Sequence, residues 1–85
     1  MNHSITIRFF AQLRELSGTE VLVYDVPAEG VLISEVISTL RSRPGLLQVS
    51  NDIRLMMAVN HSMVREGHRV APGDELALFP PVTGG

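Results

Sequence analysis

One stretch of this chain has the apolar spacing of a helix long enough to cross a sheet: Ile33, Val36, Ile37 and Leu40, lying between Pro27 and the stop signal Pro44-Gly45. An amphipathic helix must bury its stripe against something else. Its β-branched residues each lower intrinsic helix propensity by about a few tenths of a kcal/mol, so packing must hold it. Gly30 is the N-cap candidate. Much of the remaining apolar content points to strands. Ile5, Ile7 and Phe9 are separated by Thr6 and Arg8, the period-2 pattern of a strand with one buried face.

Further strand candidates follow along the chain. Ala11 to Leu16 reads as a short helical turn, stopped by Ser17-Gly18-Thr19, and Val21 to Val26 is a second strand that pairs with the first in a hairpin with a long connection. Leu46 to Asp52 has no clear period and reads as a loop with room for a short helical turn. Leu55 to Asn60 is a third strand candidate, followed by Met63-Val64, the turn residue Gly67, and the Pro72-Gly73-Asp74 turn that launches Glu75 to Phe79. Strand, strand, helix and further strands make an α+β order in which one main helix packs on one face of a mixed sheet. The compact solution is a ubiquitin-like β-grasp over residues 1–79, with 80–85 as an extended tail.

With 85 residues, the chain is long enough for one core and too short for two, since a domain this size buries only about 60 to 65% of its unfolded surface. No apolar run approaches the roughly 18 to 20 residues that span a bilayer, and the first residues lack the pattern of a secretory signal. A cytoplasmic protein is expected. The net charge of -2 and seven scattered arginines offer no basic stripe for nucleic acid. Cysteine is absent, which excludes a disulfide, a thiolate metal site and a cysteine persulfide. Lysine is absent too, so no side chain here forms a Schiff base or accepts an isopeptide bond. His3, His61 and His68 lack the tight spacing of metal ligands, and no metal is expected.

The chemistry that remains lies at the end of the chain, Phe79-Pro80-Pro81-Val82-Thr83-Gly84-Gly85. Two prolines cannot extend a ladder and favour an extended conformation, so the tail should project. At about 3.1 to 3.4 Å per residue it reaches on the order of 20 Å, enough to thread a partner's active site. Gly84 and Gly85 lack a Cβ and fit a channel too narrow for other residues. A carboxylate becomes an acyl donor once adenylated by ATP, and a sulfur nucleophile then leaves a thiocarboxylate. Terminal glycines are also what an inert chain end carries.

Three segments, Phe9 to Gly18, Ala58-Val59-Asn60 and Gly73 to Gly85, carry a resemblance to the MoaD/ThiS sulfur-carrier family over essentially the full length. The resemblance implies a sulfur carrier that serves as the small subunit of a molybdopterin synthase. Gly85 would be adenylated by an E1-like, MoeB-like enzyme that uses ATP, and a sulfurtransferase system would supply sulfur. The tail, with Gly84 and Gly85 leading, would insert into the large, MoaE-like subunit and give its sulfur to cyclic pyranopterin monophosphate to form the dithiolene. Two small and two large subunits would assemble, with the catalytic residues on the large one and no cofactor held by the carrier.

The resemblance also implies a partner interface at Phe10, Met63 and Phe79, continued by Pro80, Pro81, Val82 and Thr83. Alternation supports two of these independently. With Ile5, Ile7 and Phe9 inward, Phe10 points the other way, and with Leu76 and Leu78 inward, so does Phe79. The Phe79-Pro80-Pro81 sequence favours the molybdopterin branch over a thiazole-synthesis carrier. A ubiquitin-like modifier that joins Gly85 to lysines of other proteins is the alternative from a different class.

Overall fold

A computed structural model describes residues 3–43 and 55–80. Along the chain these form β1 (Ser4–Phe9), α1 (Gln12–Ser17), β2 (Val21–Asp25), β3 (Val31–Leu32), α2 (Ile33–Ser42), β4 (Met56–Val59), β5 (Ser62–Val64), β6 (Arg69–Val70) and β7 (Glu75–Phe79). Five strands make one sheet in the order β2-β1-β7-β4-β5, in which β1 and β7 are parallel and the other pairs antiparallel. The last strand of the chain therefore lies at the centre of the sheet.

The expected stripe of α2 is buried: Ile33, Val36, Ile37 and Leu40 join Ile5, Ile7, Phe9, Met57, Val59, Leu76 and Leu78 in one core. Helix and sheet thus bury one face of each, the β-grasp arrangement expected from the spacing. Leu13 of α1 closes the same core at one end. Gly18, in the left-handed region at φ 67°, ends α1 and donates its N–H to the Arg14 carbonyl at 3.0 Å.

Gly30 is not the N-cap of the helix. That position belongs to Leu32, and the helix's first N–H groups are satisfied by backbone: Ile33 N–H donates to the His68 carbonyl at 3.0 Å and Ser34 N–H to that of Glu66 at 3.1 Å. Gly30 is required for a different reason. Its φ is +83°, and a Cβ there would collide with the Val70 carbonyl, where the short β3–β6 ladder brings two backbones together. The Pro44-Gly45 stop and the Leu46 to Asp52 loop lie outside the described residues, and α2 ends at Ser42.

Two tight connections aim the strands. Asn60 and His61, at φ 50° and 73°, are the two residues between β4 and β5, the double positive φ of a type I′ hairpin turn. Ala11, at φ 52° and ψ -129°, follows Phe10 at the junction of β1 and α1, and the Leu13 N–H donates to the Phe10 carbonyl across it at 3.1 Å. That conformation normally suits glycine, so Ala11 is strained.

Candidate functional site

The site is built where β1 and β7 end. Because these strands are parallel, their C-terminal ends lie side by side, and the Phe10 N–H continues the ladder by donating to the Leu78 carbonyl at 3.1 Å. The residues after Phe9 and Leu78 then face away from the core. Phe10 and Phe79 stack on that outer face, with centroids 4.9 Å apart and planes 14° from parallel. Phe10 is 40% exposed, and Phe79 is half-buried beneath it. Both orientations match the alternation argument.

Strand register extends the patch. Met56 lies opposite Phe79, while Ala77 and Met63 flank Ala58 from the two neighbouring strands. Met63 is 59% exposed and Met56 37%, and on the far edge Val21 and Val23 are exposed as well. Between the edges, Ala58 and Ala77 form a low floor of small side chains. One ion pair is set into this apolar surface: Arg8 Nε donates to Glu75 Oε2 at 2.9 Å, bridging β1 and β7. Beside Met56 and Met63 lies an open depression of about 610 Å³.

Phe10, Met63 and Phe79, the residues singled out for a partner interface, thus share one face of the sheet. Pro80 follows β7 directly and is half-buried, while Pro81, Val82, Thr83, Gly84 and Gly85 lie outside the described residues. Met56 belongs to the same face and was missed from the sequence. The signal was present, since Met57 and Val59 inward would place Met56 and Ala58 outward.

The opposite end of β7 is polar and tightly bonded. Asn60 donates from Nδ2 to Asp74 Oδ1 and accepts at Oδ1 from the Glu75 N–H, each at 3.0 Å, while its backbone N–H donates to the Glu75 carbonyl at 2.9 Å. Asp74 Oδ2 accepts from the Ala71 N–H at 2.8 Å, and the Asp74 carbonyl accepts from the Thr6 N–H at 3.0 Å. Two of the segments that carry the resemblance, around Asn60 and around Asp74, therefore meet and fix where β7 begins. Among the described residues, no group of three or more His, Asp or Glu side chains is placed to hold a metal ion, and no helix is long and apolar enough to cross a membrane.

A five-stranded mixed sheet with a parallel central pair, one main helix on its inner face and an apolar outer face defines a ubiquitin-like protein. SAMP1 of Haloferax volcanii, a small archaeal modifier protein, has the same fold at a TM-score of 0.73 and 28% identity, covering 96% of this chain and 99% of that one. The chain belongs to the ThiS family, which it matches over residues 7–85. It is 37% identical to the molybdopterin synthase sulfur carrier subunit of Escherichia coli over 95% of this chain and 99% of that protein. It is 35% identical to the subunit of the same name from Drosophila sechellia, over 96% and 91%.

Proposed function

We propose that this chain is the sulfur carrier subunit of a molybdopterin synthase, with Gly85 as the point of attachment. The observation that carries this reading is the coincidence, at one end of the sheet, of the outlet of β7 with the outward-facing Phe10–Phe79 stack. A large apolar patch at the base of a tail holds a partner where the tail can enter it. The choice of synthase follows the relatives of that name.

In this mechanism an E1-like enzyme joins the Gly85 carboxylate to AMP with loss of pyrophosphate. Sulfur from a sulfurtransferase system displaces AMP and leaves the thiocarboxylate. The outer face then docks on the large, MoaE-like subunit, with Phe10, Met63 and Phe79 as its anchors and Pro80 to Thr83 leading Gly84 and Gly85 into the active site. There the sulfur passes to cyclic pyranopterin monophosphate. The carrier contributes position and sulfur, the large subunit contributes the acid-base groups, and two copies of each make the working enzyme in the cytoplasm.

Intact mass after incubation with ATP, the cognate activating enzyme and a sulfur source tests this. The expected result is a shift equal to exchanging one oxygen for sulfur, mapped to Gly85, absent without ATP and absent from a variant extended by one residue after Gly85. Loading of the extended variant would sink the mechanism. The likeness to SAMP1 favours a second reading, a protein modifier. Denaturation-resistant adducts to lysines of other proteins, in place of free thiocarboxylate, would establish it.

A further inference from the structure

The chain has four methionines and no cysteine, so thioethers are its only side-chain sulfur. Strand geometry sorts three of them sharply. Met57 points into the core and is 3% exposed, while its neighbour Met56 and the nearby Met63 lie on the outer face, 37% and 59% exposed. Resting on the docking reading above, we propose that Met63 and Met56 are sites of reversible oxidation by peroxide, and that their sulfoxides prevent the outer face from docking on the large subunit.

The step is a two-electron oxygen transfer. The thioether sulfur attacks one oxygen of hydrogen peroxide, the O–O bond breaks and an S–O bond forms. The departing hydroxide takes up the remaining proton as water, so sulfur loses two electrons and peroxide gains them. The product replaces a flexible apolar group by a polar one. Its oxygen is a strong acceptor, and the nearest register neighbours of Met63 and Met56 on this face, Ala58 and Phe79, offer no side-chain donor. Arg8 is engaged with Glu75, and Arg65, which lines the depression beside both methionines, is exposed to solvent. Covering an unpaired sulfoxide with an apolar partner surface is therefore costly. A carrier must leave its partner to be recharged, and this exposes both sulfurs once per cycle.

The test treats the unloaded carboxylate form with hydrogen peroxide, so that no terminal sulfur consumes the oxidant. Peptide mass mapping is expected to show Met63 and Met56 oxidised before Met57. Affinity for the cognate large subunit, by calorimetry, should fall about ten- to hundredfold, and methionine sulfoxide reductases supplied with a dithiol, which gives the two electrons and leaves as its disulfide while the oxygen leaves as water, should restore it. A Met56→Leu/Met63→Leu double variant, compared with its own untreated form, should lose no affinity on peroxide treatment. Unchanged affinity after both residues are oxidised, or equal peroxide sensitivity in the double variant, would overturn the proposal while leaving the docking reading intact. Failure of the untreated parent to bind would overturn both.

Discussion

The two ends of β7 differ in almost every physical respect. At its start, Asn60 and Asp74 spend their side-chain oxygens and amide on neighbouring groups, and the strand is tied to β1, to the β4–β5 turn and to the preceding loop. At its outlet, Phe10, Phe79, Met56 and Met63 present apolar surface with little hydrogen bonding of their own. One end spends its chemistry on the fold. The other, five residues along the same strand, leaves its apolar surface uncovered.

That contrast predicts which property each substitution damages. Phe79→Asp should have the largest effect, weakening binding to the large subunit by on the order of 2 kcal/mol, about thirtyfold, with a far smaller change in stability. Calorimetric binding beside a urea melt separates the two, and undiminished affinity would break the distinction. Asn60→Ala should do the reverse. Loss of two side-chain hydrogen bonds and the replacement of asparagine at a positive φ should cost about 1–2 kcal/mol of stability, with large-subunit affinity unchanged.

The smallest effect sharpens the boundary between the two ends. Ala11→Gly should relieve the strained φ next to Phe10, but glycine also gives the unfolded chain more freedom, so the net gain should be about 0.5–1 kcal/mol. A thermal melt reads it. Destabilisation by glycine would show that the turn holds no strain worth relieving.

What the sequence disclosed divides along the same physical line. The alternation of Ile5, Ile7 and Phe9, the stripe of α2 and the outward turn of Phe10 and Phe79 are local periodicities, and each emerged with nearly its observed bounds. The role of Gly30 was not legible, because the Val70 carbonyl that demands it comes from a distant part of the chain. The β3–β6 ladder, two residues on each side, is too short to leave a period. The Asn60–His61 turn was hidden for a chemical reason: histidine occupies a position where glycine usually advertises the bend. The stacking of Phe10 on Phe79 required the parallel register of β1 and β7, which no local pattern encodes.

The central place of the last strand bears on how such a molecule is made. During synthesis β1, β2 and α2 emerge early, yet β7 pairs with both β1 and β4, so the sheet has no middle until its final strand has left the ribosome. A prematurely terminated product lacks that strand together with the tail, and has no completed sheet on which to display the aromatic stack. Only a chain translated through β7 can close the sheet and present the Phe10–Phe79 stack, so copies that end before that strand lack the apolar face.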